Sequence, residues 1–264
     1  MSSKKLILDS LRSLSVWRVW TFLGIQDVKA RFRRSFLGPL WLMMSTVIFV
    51  AGAGLVYGSL FGVDHREFLP HFATGVVIWG FVVSSVTEAG STFVIAEGYI
   101  KQFPYPKQIY LLRSLVGYLV ILAVGMVVIL LMQLVLDEFS GVAWLWMLPG
   151  LALFALVGAG HITVFAYIGA RFRDLPHALG GVMQLLFFVT PVMFPAKMLA
   201  SRGLQHIYEF NPFYYLIEVV RHPLITGDPA PALTYGWVVG YGAVVWLIAG
   251  VVAARMDEKL VFSL

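Results

Sequence analysis

The chain has 264 residues, of which 59% are hydrophobic and only 12% charged, with a formal net charge of +5 and a mean hydropathy of +0.84. So few polar groups cannot cover the apolar surface of a soluble domain of this length, which excludes a water-soluble enzyme or nucleic-acid-binding module and predicts an integral membrane protein. The absence of cysteine removes disulfides and thiolate chemistry.

Residues 1–35 are too polar to span, but Leu14, Trp17, Trp20, Gly24, Val28 and Phe32 recur every three or four positions. That spacing predicts an amphipathic helix lying in the cytoplasmic membrane interface, with its indoles at head-group depth. Lys4 and Lys5 are followed by Asp9, Arg12 and Arg18, which interrupt any secretory apolar core, so no signal peptide is expected. Lys29, Arg31, Arg33 and Arg34 then abut the first apolar stretch, and cations at a span end resist translocation, so this end is placed in the cytoplasm.

Residues 36–264 are read as the transmembrane domain. Apolar stretches of about twenty residues without strand-like alternation favour helices over a barrel. Six spans are predicted, over residues 36–61, 72–96, 109–136, 143–170, 178–198 and 233–254, giving an all-α multi-pass protein with both termini cytoplasmic. In this topology every Lys and Arg except Arg66, Lys197, Arg202 and Arg221 falls on the cytoplasmic side. Gly54 and Gly58 on the first span, and Gly236 and Gly240 on the sixth, have the spacing that lets helices approach closely, with packing inside one subunit expected ahead of a dimer seam.

Two cytoplasmic loops stand out. The first, 97–107, holds Lys101, Phe103, Pro104, Tyr105, Pro106 and Lys107, and its prolines stop one helix and restart the next, presenting a rigid basic and aromatic knob. The second carries Arg171, Arg173 and Asp174. On the external side, 200–232 is too long for a turn and too polar for a span; Phe210, Phe213, Tyr214 and Tyr215 surround Asn211 and Pro212, and a helix is expected after the proline. A re-entrant segment between spans five and six is the expectation, since such backbone needs cover from protein or water.

The chemistry missing from the chain is informative. No P-loop string, no Gly-x-Ser-x-Gly elbow and no cluster with metal-ligand spacing occurs, so a non-catalytic chain with no bound metal or cofactor is expected. Glu88 is the clear ionisable residue at membrane depth, with His161 near a span end, fewer such groups than an ion-driven carrier needs. The string Val28-Lys-Ala-Arg-Phe-Arg-Arg-Ser-Phe-Leu-Gly-Pro-Leu-Trp41, the Ala170-Arg-Phe-Arg-Asp174 loop, Thr190-Pro191 with Phe194-Pro195, and Asn211-Pro212 resemble the permease subunit of ABC-2-type polysaccharide exporters of the O-antigen type, with capsule and teichoic-acid exporters similar. The resemblance implies a homodimer in the bacterial inner membrane, a separate ABC ATPase subunit that holds ATP and Mg, and an undecaprenyl-type lipid-linked polysaccharide as cargo. It also implies that residues 14–34 and 97–107 dock on the ATPase.

For such a cargo, Lys29, Arg31, Arg33 and Arg34 are candidates to meet the lipid pyrophosphate, because guanidinium forks suit phosphate oxygens; setting orientation and binding anionic membrane lipid is the competing role. Phe36, Trp41, Phe49 and Tyr57 on the first span, and Phe187, Phe188 and Phe194 on the fifth, are candidates to line the channel with flat faces for sugar C–H groups. A small-molecule or lipid exporter of the same fold, and a membrane enzyme acting on lipid-linked sugars, are the alternative functions. No nucleic-acid partner is expected.

Overall fold

Local capping chemistry sets where the helices begin and end. The computed structural model describes residues 3–264 except 34, 39, 62, 63 and 104. In chain order the helices are α1 (Ser3–Ser15), α2 (Trp17–Arg31), α3 (Leu40–Phe61), α4 (His65–Val86), a 3-10 turn (Glu88–Ser91), α5 (Thr92–Ile95), α6 (Glu97–Gln102), α7 (Gln108–Val135), α8 (Gly141–Arg171), α9 (Leu175–Val189), α10 (Ala196–Ala200), α11 (His206–Glu209), α12 (Pro212–Thr226), α13 (Ala232–Met256) and α14 (Leu260–Ser263). Asp64 caps α4 by accepting from the Arg66 amide at 3.0 Å, Ser140 caps α8, and Asn211 caps α12 ahead of Pro212 at its first turn. Among the described residues no strand occurs, and the chain is all-helical.

Four stretches are long and apolar enough to cross a membrane: Arg66–Ile95, Gln108–Val135, Gly141–Arg171 and Ala232–Met256. Leu40–Gly54 and Leu175–Val189 form shorter apolar helices. Within the most apolar part of each, 67% of the residues are buried for the first of the four, against 28% for Gln108–Val135 and for Ala232–Met256. The α4 stretch is therefore the most enclosed of the four.

Lipid tails are as apolar as a core, so helices in a bilayer associate through close packing rather than through escape from water. The residues at the crossings reflect this. Phe81 meets Phe154 at 4.8 Å and Phe93 meets Tyr167 at 4.9 Å between ring centres. Gly169 of α8 lies directly against the Gly90 carbonyl in the 3-10 turn, an approach that any side chain there would block.

Several boundaries differ from the sequence expectation. The first span begins at Leu40 rather than at residue 36, because Ser35–Gly38 forms a turn with Gly38 at φ +55°. The second starts at His65, seven residues early, because the Asp64 cap outweighs the polar character of its first turn. The fifth helix stops at Val189, since Thr190 is extended (ψ 135°) before Pro191, so Phe194 lies beyond it. The predicted interfacial helix is broken at Val16 into α1 and α2, and the Trp20 indole closes the elbow by donating to the Ser13 carbonyl at 2.9 Å.

The segment between α9 and α13 is structured. Most of the first three turns of α12 are buried against α4, α8 and α13, and Tyr215 stacks on Trp237 with rings 5.0 Å apart and 5° from parallel. The helix expected after Pro212 is present and ends at Gly227, whose φ of +80° suits a left-handed C-terminal position.

Candidate functional site

One end of the bundle gathers α2, α6, the α8–α9 loop and the start of α7. Helix α2 lies on α7 because Gly24 lets the backbones meet: a β-carbon there would stand 2.6 Å from the Arg113 carbonyl oxygen. Beside it, Arg113 grips Asp27 through two parallel bonds, Nε to Oδ2 at 2.5 Å and Nη2 to Oδ1 at 2.6 Å. Such bidentate pairs combine charge with fixed geometry. The same guanidinium stacks over the Tyr99 ring of α6 at 5.4 Å, so a single side chain, only 9% exposed, joins α2 to the first loop.

The loop displays a row of half-exposed rings. Tyr99 is 6.5 Å from Phe103, and Phe103 is 6.4 Å from Tyr105. Glu97 and Lys101 pair at 2.6 Å along α6. The Glu97 carboxyl is held below the usual range by the hydrogen bond and charge of Lys101, with a further contribution from Arg173 in the second loop. The two loops thus share one face of the molecule. Arg171 and Arg173 are exposed there, Arg171 lying over the Phe172 ring at 5.7 Å, and Asp174 stands exposed at the start of α9 without capping it. Lys107 turns inward to Asp257, with Nζ 3.4 Å from Oδ2, while Tyr167 donates to the other carboxylate oxygen at 2.6 Å. Pro106 lies just ahead of α7, and Pro104 falls outside the described residues.

The basic run is divided by its surroundings. Arg31 bonds Glu88 at 3.0 Å, and Ser84 donates to the same carboxylate at 3.2 Å. Glu88 is thereby tied to α2. Lys29 and Arg33 are exposed and make no ion pair among the described residues; Arg34 lies outside them.

The aromatic candidates meet α4. Phe49 of α3 contacts Phe72 at 5.6 Å, and Phe187 of α9 contacts Trp79 at 6.0 Å. Phe72 and Trp79 are two turns apart on the same side of α4, so aromatics from the first and fifth apolar helices reach a common face. Trp41 and Phe49 are half exposed, Phe188 is 63% exposed, and Phe36 is fully exposed in the turn before α3. Tyr57 is partly buried beside the Phe68 and Phe72 cluster. Phe194 sits in the bend after Pro191.

At the opposite end, Arg221 of α12 is 1% exposed. It donates to the Pro191 carbonyl at 3.0 Å, the Val192 carbonyl at 3.3 Å and Glu218 Oε1 at 2.9 Å. Asn211 donates to Thr190 Oγ1 at 2.8 Å. The Arg221 bonds occupy two carbonyls of the bend that follows α9.

The family model described as ABC-2 type transporter matches residues 18–225. The chain belongs to the ABC-2 type transporter family. Among its relatives, an O-antigen export system permease protein RfbA from Myxococcus xanthus is 27% identical over 247 residues, 88% of this chain and 90% of that protein. The protein of the same name from Klebsiella pneumoniae is 24% identical over 209 residues, 76% of this chain and 78% of that one. The polysialic acid transport protein KpsM from Escherichia coli is 21% identical over 247 residues, 91% and 94% of the two chains.

In this ABC-2 chain, several groups escape sequence reasoning. Asp27 stands just ahead of the basic run, Arg113 counted only as one of the cytoplasmic cations, and Asp257 carried no expectation. The available signal was charge within or beside apolar helices, where it is costly unless paired. His161 lies well inside α8, hydrogen-bonded to Tyr241 at 2.8 Å, rather than near a span end. Gly54 packs against Leu69 within the chain, in line with its spacing, whereas Gly236 and Gly240 face open space.

Proposed function

We propose that this ABC-2 chain is the permease subunit of an ATP-driven exporter of lipid-linked polysaccharide, with O-antigen as the leading cargo class. The observation that carries the reading is the similarity, over three-quarters or more of the chain, to proteins named for O-antigen export and polysialic acid transport. In this reading α3 and α9 complete a six-span arrangement in the bacterial inner membrane with both termini cytoplasmic. A separate ABC ATPase holds ATP and Mg and docks on α2, on the Tyr99, Phe103 and Tyr105 row, and on the Arg171–Asp174 loop. Supporting this, those elements share one face and carry exposed rings and cations, the composition of a protein-binding surface.

Two copies of the chain would enclose the channel. Trp41 and Phe49 of α3 and Phe188 of α9 are half exposed or more in the single chain, and such rings offer sugars weak, repeated contacts. Lys29 and Arg33, which make no ion pair among the described residues, would meet the lipid pyrophosphate together with Arg34, while Arg31 would first have to leave Glu88. Reconstitution tests the whole reading. Vesicles holding this chain and its ATPase should move lipid-linked glycan only with ATP and Mg; transport of small amphiphiles alone would reassign the cargo.

A further inference from the structure

Two adjoining cavities beneath α1 share Gln108 and differ in character. One, of about 220 Å³, is an almost wholly apolar slot lined by Leu14, Leu111, Leu115, Trp246 and Ala253. The other, of about 640 Å³, is mixed, with Asp9, Arg12, Lys107 and Asp257 on one side and Phe103 and Tyr105 among its apolar walls.

The slot fits the upper part of a lipid tail. Along α13 its wall runs from Trp246 to Ala253, about 10 Å at the helical rise of about 1.5 Å per residue, which is about a third of a hydrocarbon core of roughly 30 Å. With Gln108 at its polar end, the slot takes the part of an acyl chain nearest the head group. The polar cavity opens where a head group would lie.

Its charges select the head group. Lys107 and Asp257 satisfy one another, and Tyr167 completes the carboxylate. Asp9 and Arg12 also line the cavity, yet neither makes an ion pair among the described residues, although they stand one turn apart on α1. The Gln108 Oε1 at the junction is buried and accepts no hydrogen bond. The cavity thus offers one guanidinium for a phosphate and two acceptors, a carboxylate and an amide oxygen, for a group bearing N–H bonds.

We propose that the paired cavities bind one glycerophospholipid with a phosphoethanolamine head group, its acyl chain in the apolar slot, its phosphate on Arg12 and its ammonium on Asp9 and Gln108. A phosphoglycerol head group has no cation for Asp9, and the quaternary nitrogen of phosphocholine has no N–H to donate. Phe103 and Tyr105 wall this cavity and are also the rings that the proposed function gives to the ATPase, so the lipid is tested on the chain without that subunit.

The test is lipid retention by the full chain, purified in mild detergent and exchanged with equimolar synthetic phosphatidylethanolamine, phosphatidylglycerol and phosphatidylcholine, with bound lipid counted by mass spectrometry. About one phosphatidylethanolamine per chain is expected, preferred about tenfold, the ratio that one charge-assisted hydrogen bond is worth. Arg12→Gln and Asp9→Asn, both on the outer helix, should each lower its retention by about the same factor, and Leu115→Trp should empty the slot. If Leu115→Trp fails to fold, the two polar variants decide. Equal retention of the three lipids, indifferent to Arg12→Gln and Asp9→Asn, would reduce the site to ordinary annular lipid and overturn the proposal. So would recovery of a polyprenyl lipid in its place. Because the chain lacks cysteine, Leu14→Cys offers a further check: disulfide dimers would place a second copy over the slot and likewise overturn it.

Discussion

The two ends of this helix bundle use charge in opposite ways. At the α2 end, ion pairs join separate helices, and the Arg31–Glu88 pair stays in contact with solvent, its side chains being 50% and 44% exposed. At the α12 end, the Arg221 side chain is 1% exposed and is spent on two backbone carbonyls and Glu218. A half-exposed pair contributes little and breaks cheaply, whereas removing one partner of a buried pair strands the other. The first design suits elements that shift with a partner. The second suits a helix break that must keep one shape.

Variants can break or sharpen that contrast. Arg221→Leu leaves Glu218 and the Pro191 and Val192 carbonyls without their donor, and should cost about 3–5 kcal/mol; monodisperse, thermally stable protein in detergent would refute the assignment of α12 as the rigid end. Arg113→Ala releases Asp27 and the Tyr99 stack together, and should cost about 1–3 kcal/mol. Hydrogen exchange should then rise in α2 and α6 while α12 stays protected, whereas a uniform rise would deny Arg113 its local role. Arg31→Gln should change stability by about 1 kcal/mol or less, and less still at high salt; a loss equal to that of Arg221→Leu would erase the difference between the ends.

The smallest effect concerns pH. Because Lys101 lowers the folded pKa of Glu97, their pairing supports α6 fully above the ordinary carboxylate range and is lost as pH falls through the lowered value. Protection of the 97–102 amides, corrected for intrinsic exchange, should therefore drop only in acid, and Glu97→Gln should remove that step.

Much of this architecture was legible in the chain because apolar runs and positive charge report on the bilayer. The amphipathic spacing around Gly24 and Val28 located the helix that packs on α7, and Asn211-Pro212 marked the start of α12. What stayed hidden was pairing over long sequence separation. Nothing local links Asp27 to Arg113, Lys107 to Asp257, or Arg221 to the carbonyls of Pro191 and Val192. Each looked like a lone charge until the helices brought it to its partner. The boundary errors have local causes: the Gly38 turn, the Asp64 cap and the Thr190-Pro191 break each shift a helix end away from where hydropathy alone places it.

Polysaccharide export is tested by deleting the gene and determining on which side of the membrane lipid-linked glycan collects. Export by this chain should leave polymer trapped on the cytoplasmic face and the cell surface bare, with restoration by the wild-type gene. Normal surface glycan with no internal pool would contradict it.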